Sequence, residues 1–283
     1  MRRSRRFSKQ TIEMKRIGNW LACLLLTMAV ASCSSVAFTG RNRMLLYSDS
    51  EITALANESY NDIMATSKLS DDARQSAMVQ EVGARLSGAL SRYLSSKGQS
   101  SELDGISWDF KLVQDDQVNA FCMPGGKVVF YSGIMSLLDT PDLVAVVMGH
   151  EMAHAIARHG NERMSQQALA SIVGAVTGQV VEQKTSQNGR ILFEAAFAVG
   201  SEYGYLLPYS RKHEYEADEI GLYIMAIAGY DISQAPLLWK KMSEMQSGTP
   251  VPEFMSTHPS DANRIKHLEK LQDKARKIAS EVQ

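Results

Sequence analysis

The stretch His150-Glu151-Met152-Ala153-His154 constrains the fold of this chain more than any other. Apolar residues lead into it (Leu143-Val144-Ala145-Val146-Val147-Met148) and out of it (Ala155-Ile156-Ala157). The pattern predicts a buried helix, capped by Asp139 or Thr140, with Pro141 in its first turn and Gly160 closing it. Two imidazoles and a carboxylate inside such a helix are costly unless the fold satisfies them. Residues four apart return to nearly the same face, so His150 and His154 can grip one cation. Glu151 lies one residue round from His150, near that cation without competing as a ligand. Gly149 weakens the helix slightly but lets a second backbone come close. A solvated surface helix is the competing reading, and the apolar flanks argue against it.

Two histidines at this spacing, with a glutamate after the first, form the pattern of a zinc hydrolase whose glutamate is the general base. Such a site needs a third protein ligand. A metzincin would have glycine at position 157 and histidine at position 160, whereas this chain has Ala157 and Gly160. His159 falls on the wrong side of the helix to join the pair, so that class is excluded. The remaining pattern takes a carboxylate from a later helix. Ser210-Arg211-Lys212-His213-Glu214-Tyr215-Glu216-Ala217-Asp218 opens a helix expected to run to about Ala228. Glu214 and Asp218 share a face, and Ala217 and Gly221 permit close helix approach. Spacing alone does not choose among Glu214, Glu216, Asp218 and Glu219.

HEMAH together with SRKHEYEAD resembles the HtpX and CAAX-prenyl-endopeptidase family of zinc metallopeptidases, metallopeptidase family forty-eight. Further segments match in order: Thr39-Gly40-Arg41, Asn119-Ala120-Phe121 with Pro124-Gly125-Gly126, Leu207-Pro208-Tyr209-Ser210-Arg211, Ala228-Gly229-Tyr230, and Ser256-Thr257-His258-Pro259 with Arg264. The resemblance implies a gluzincin-type zincin fold, mainly α with a small β-sheet (α+β). It also implies that His150, His154 and Glu214 bind one Zn2+ per chain and that Glu151 is the catalytic base. Asp218 then supports the site, and the strand at Asn119 and Ala120 lies beside the substrate cleft. Within the family the chain resembles the soluble, lipid-anchored bacterial members and lacks the membrane-spanning helices of HtpX itself.

The first 32 residues read as a signal peptide. A basic start precedes an apolar run over residues 20–31, too short to span a bilayer comfortably. Val30-Ala31-Ser32-Cys33 resembles a lipobox in which Cys33 is lipidated, and Ser34 is not the aspartate of an inner-membrane retention signal. Met14 offers a more typical start, and Ser4-Arg5-Arg6 is only a weak twin-arginine hint. Residues 1–32 carry seven of the 30 Lys+Arg and one of the 31 Asp+Glu, leaving 23 basic against 30 acidic groups. An acidic body argues against a nucleic-acid partner. Of three cysteines, Cys23 lies in the leader and Cys33 is the lipid site, so Cys122 has no disulfide partner.

The remainder suffices for one core, with residues 33–47 as lipidated Cys and tether and 48–283 as the peptidase domain. Helices are expected over Asp49–Thr66 and residues 71–94, then strands over 106–113, 118–123 and Lys127–Tyr131. Residues 168–181 make an apolar helix, 182–189 a polar loop and 188–204 another helix. Helices over 233–245 and 261–279 close the chain. Sheet edge beside a metal helix suits a protease, since an extended peptide can add to it as a strand, with Asn119 as hydrogen-bond donor or else as a turn cap. His258 or Tyr209 is expected to stabilise the oxyanion. His258 is alternatively a gate, since an imidazole in the open metal position displaces the water. Arg264 is expected to pair with a carboxylate such as Asp218. His159 and His213 are expected at exposed or packing positions, and His267 on the charged face of the last helix. The activity implied is cleavage of misfolded or misassembled envelope proteins at the periplasmic face of the outer membrane, with envelope assembly proteins as partners. The competing reading is a binding module or assembly chaperone with weak or latent proteolysis.

Overall fold

The computed structural model describes residues 33–177, 210–245, 253–258 and 262–282. The architecture is a helical layer built around the HExxH helix, with a three-stranded sheet packed against it, an α+β zincin-like fold. Strands β1 (Cys33–Ser35) and β2 (Asn42–Met44) form an antiparallel hairpin. Helices α1 (Asp49–Thr66) and α2 (Ala73–Ser96) follow. A capping box at Ser48 and Glu51 starts α1, and Asp72 caps α2. In α2 the apolar positions at four-residue spacing, Met78, Val82, Leu86 and Leu90, face the core: the last three are buried, Met78 is half-buried, and Val79 joins them.

Strands β3 (Asp109–Val113), β4 (Ala120–Met123) and β5 (Lys127–Tyr131) make a sheet in the order β3-β5-β4. β3 runs parallel to β5, and β4 antiparallel to it. β4 therefore sits at an edge, and it packs against α3 (Pro141–Ile156). After α3 come α4 (His159–Thr177), α5 (Arg211–Ala228), α6 (Gln234–Met245), α7 (Glu253–Thr257) and α8 (Ala262–Ser280). α5 packs on both α3 and α8, and one apolar core joins α2, the sheet, α3, α5, α6 and α8. No described helix is long and apolar enough to cross a membrane.

Three expectations need correction. Residues 34–40 do not hang as a tether: Ser34 and Ser35 pair with β2, and Val36 and Ala37 are buried in the main core. Small residues suit a tight corner under a core as well as a linker, so composition could not tell the two apart. The first three residues of the expected 106–113 strand lie outside the sheet, which begins pairing at Asp109. The metal helix ends at Ile156 rather than Gly160, because Arg158 takes a left-handed backbone (φ 56°) and α4 restarts at His159. Arg158 is held there by Asp49 (Nε to Oδ2, 2.8 Å) and Glu102 (Nη1 to Oε2, 2.6 Å), contacts that local sequence cannot signal. Within residues 168–181 the helix is described to Thr177. The leader, the 182–189 loop, the 188–204 helix and Tyr209 lie outside the described residues.

Candidate metal centre

Two local devices aim the site. Thr140 caps α3, its Oγ1 accepting from Leu143 N at 3.3 Å, and Ser210 caps α5, its Oγ accepting from His213 N at 3.3 Å. The helices then cross at two glycines: a Cβ on Gly221 would lie 2.9 Å from Gly149 C and His150 N. This crossing brings α5's first turns over the histidine pair. Glu214 Oε2 lies 3.4 Å from His150 Nε2, and Glu214 Oε1 lies 3.3 Å from His154 Nε2. The two Nε2 atoms are 3.1 Å apart. His258, just after α7, adds Nδ1 at 3.2 Å from both His150 Nε2 and Glu214 Oε1. Each of the four is at most 3% exposed, and together they form a group able to hold one metal ion.

The donor set fits a cation. Asp218 accepts from His150 Nδ1 at 3.0 Å, so a neutral His150 presents its lone pair on the Nε2 that faces His154. Buried lone pairs converging with a carboxylate repel one another unless a positive charge sits among them. Glu151 Oε1 is buried with no hydrogen-bond partner among the described residues; His258 Nε2 stands 3.4 Å from it, a charge-range contact without bonding geometry. Burial raises the Glu151 pKa, with His258 and His150 opposing. A raised carboxyl suits an acid–base role.

Arg264 locks the acids in place. Its Nε and Nη2 donate to Asp218 at 2.8 and 2.7 Å, and its Nη1 lies 2.7 Å from Glu214 Oε2 as an ion pair. The guanidinium stacks 4.0 Å from the Trp239 ring, which meets His150 edge-on at 5.2 Å. Burial alone would raise the Glu214 and Asp218 pKa values; His258 and Arg264 pull Glu214 well below its usual range, and Arg264 lowers Asp218. Burial works against charge on His150, but its bonds to Asp218 and Glu214 carry its pKa up to about 9. His154 is held well below its ordinary value, by burial first.

The sequence profile described as Peptidase family M48 matches residues 74–272. The chain belongs to that metallopeptidase family. It is 38% identical over 169 residues to a mitochondrial metalloendopeptidase OMA1 of Arabidopsis thaliana, covering 60% of this chain and 32% of that protein. Against the Homo sapiens metalloendopeptidase OMA1 it is 31% identical over 249 residues, covering 87% of this chain and 45% of that one. Against the Escherichia coli beta-barrel assembly-enhancing protease it is 29% identical over 184 residues, covering 62% and 37%. The chain thus spans about half or less of the length of these M48 relatives.

Around this M48 centre, the four acids that spacing could not separate take four different places. Glu214 faces the imidazoles, and Asp218 joins His150 to Arg264. Glu219 pairs with Tyr223 Oη (2.6 Å) and Lys274 (2.8 Å). Glu216 turns to the N-terminal hairpin and to His159. The expectation for His159 and His213 as exposed or packing residues is corrected in its chemistry. Both are buried, and both bond within a polar network. His159 Nδ1 lies 2.9 Å from His154 Nδ1 and its Nε2 2.9 Å from Glu216 Oε2. His213 Nε2 lies 3.1 Å from Glu162 Oε2 and stacks on His159. His159 reaches back because the chain reverses at Arg158.

Other expected positions fare unevenly. Asn119 Oδ1 accepts from Ala120 N at 2.9 Å, so this side-chain oxygen caps its own strand, the turn-cap alternative. The Ala120 side chain is 1% exposed, and its amide is already used, which removes it as a donor to a substrate. Ala120 still opens edge strand β4, with Asn119 just before it. Cys122, buried and free, has its backbone against Glu151. His267 is partly buried, edge-on to Tyr215 at 5.1 Å. Trp239 was missed, since one indole in an amphipathic helix carries no sign of a polar neighbour.

Proposed function

We propose that this chain is a zinc-dependent endopeptidase, lipid-anchored through Cys33 at the periplasmic face of a bacterial outer membrane. The observation that carries the reading is the buried convergence of His150, His154 and Glu214, beside a Glu151 oxygen with no hydrogen-bond partner among the described residues. Zinc suits two imidazoles and a carboxylate, and one ion per chain fills the group. When bound, it supplies a Lewis acid for the scissile carbonyl and acidifies a water. Glu151 takes the proton of the attacking water and hands it to the leaving amine. Asp218 and Arg264 fix the imidazole and the carboxylate that hold the ion. An extended substrate lies along the β4 edge, which begins at Ala120 just after Asn119 and passes Glu151 at Cys122. The chain's place among soluble lipid-anchored members rests on the leader and lipobox pattern. Misfolded or misassembled envelope proteins as substrates fit that compartment, as does the name of the Escherichia coli relative.

A second reading has one observation in its favour. His258 stands where a fourth ligand would bind, beside both Glu214 and Glu151, the arrangement of a latent enzyme or of a lipoprotein acting chiefly as an assembly chaperone. The test is zinc-loaded protein on casein. Cleavage lost in Glu151→Gln by about 10²–10⁴-fold, with zinc retained, supports the peptidase. A metal-replete wild type that cuts none of several unfolded substrates, while still binding partners, supports the chaperone.

A further inference from the structure

The Thr39-Gly40-Arg41 segment has no place in the chemistry above, yet its side chains reach the buried network around the site. Arg41 Nε donates to Glu216 Oε2 at 2.7 Å, and its Nη1 and Nη2 donate to the Glu162 carboxylate at 2.9 and 2.7 Å. Thr39 Oγ1 donates to Glu216 Oε1 at 2.5 Å. Arg43, in the same hairpin, donates from Nη1 to the carbonyl of Ile156 at 3.0 Å, the last residue of α3. The N-terminal hairpin thus clasps both helices of the metal centre, α5 at Glu216 and α3 at Ile156.

Proton placement follows from donor and acceptor chemistry. A Glu216 carboxylate accepts only, so His159 Nε2, 2.9 Å away, carries the hydrogen. The other nitrogen of a neutral His159 is then an acceptor. His154 Nδ1, 2.9 Å from it, must donate, which leaves the His154 Nε2 lone pair facing His150 and Glu214. Thr39 holds Glu216 Oε1 while Arg41 donates to Oε2, the oxygen that also meets His159, so the pair fixes the orientation of the carboxylate.

We propose that Arg41, with Thr39, is a positioning residue for the metal centre, setting the orientation and tautomer of His154 through Glu216 and His159. The proposal rests on the reading of His154 as a metal ligand. Its consequence is that the stretch just after Cys33 is part of the working site.

The test uses the full chain, labelled with ¹⁵N-histidine; six histidines keep the spectrum assignable. Zinc affinity is read by chelator competition, and tautomers by long-range ¹H–¹⁵N correlation on metal-free protein. Arg41→Gln and Thr39→Val are expected to weaken zinc binding by about 10–100-fold, the usual cost of losing a group that orients a ligand. Thr39→Ser, which keeps the hydroxyl, is expected to bind as wild type does. Wild-type protein is expected to show hydrogen on His159 Nε2 and His154 Nδ1. Wild-type zinc affinity and unchanged tautomers in a folded Arg41→Gln would overturn the proposal. If Arg41→Gln does not fold, the Thr39 pair and the wild-type spectrum decide, and hydrogen on His159 Nδ1 overturns it. A wild type that binds no zinc yet shows the expected tautomers, with His154 altered in Thr39→Val, sinks the metal reading while sustaining the positioning role.

Discussion

Replacing Gly221 with Ala puts a carbon 2.9 Å from the backbone C of Gly149 and N of His150. Comfortable contact is about 3.5–4.0 Å, and backbone atoms cannot rotate aside, so α3 and α5 must part by roughly 0.5–1 Å. Overpacking of this kind costs about 1–3 kcal/mol, against about 0.8–1 kcal/mol returned by the better helix propensity of Ala. The net loss is about 0–2 kcal/mol, a fall in Tm of no more than roughly 8 °C at this chain length. The site suffers more than the fold. His150 moves with α3 while Glu214 and Asp218 move with α5, so zinc affinity is expected to fall about 10–100-fold. Gly149→Ala is the control: its Cβ meets Gly221 O at 3.1 Å, a milder contact, and its effects should be smaller in both assays. Chelator competition and thermal melts measure the pair. A Gly221→Ala protein with wild-type zinc affinity and a raised Tm, as for an unhindered helix glycine, would refute the close-crossing argument.

Arg264→Leu leaves two carboxylates buried without their guanidinium and is expected to destabilise the fold by about 3–5 kcal/mol, read by urea denaturation; a loss under 1 kcal/mol counts against the clamp. Desolvation tends to raise the Glu162 pKa, but His213 and Arg41 bring it from 4.5 to about 2. A depressed carboxyl stabilises above its unfolded pKa and loses that contribution as pH falls, so wild type should lose stability between about pH 4.5 and 2 more steeply than Glu162→Gln. Parallel curves would contradict this. His258→Ala is expected to keep zinc and raise basal casein cleavage several-fold, since the occupied position opens. Unchanged metal binding and unchanged cleavage would end the gating idea.

The metal helix was legible because its determinants are local: a cap, a proline in the first turn, an apolar run and two histidines one turn apart. The same holds for α1, α2, β5 and the end of α5 at Ala228. The third acid was not legible from spacing, because Glu214, Glu216, Asp218 and Glu219 crowd one short stretch of one helix, two of them on the same face, and only the Gly149–Gly221 crossing assigns them. His159 was misjudged because its place depends on a left-handed Arg158 anchored by Asp49 and Glu102, residues far away in sequence. Thr39 and Arg41 looked like part of a tether because buried and linking segments of small residues share one composition. Local chemistry shows in the sequence, while placements fixed by distant ion pairs do not.

Zinc per chain after dialysis, measured for wild type, His154→Ala and Glu214→Ala, decides whether these side chains hold the ion. One zinc is expected in wild type and almost none in either variant, with each variant still folded by circular dichroism. Equal zinc in all three proteins would show that these side chains do not hold the ion.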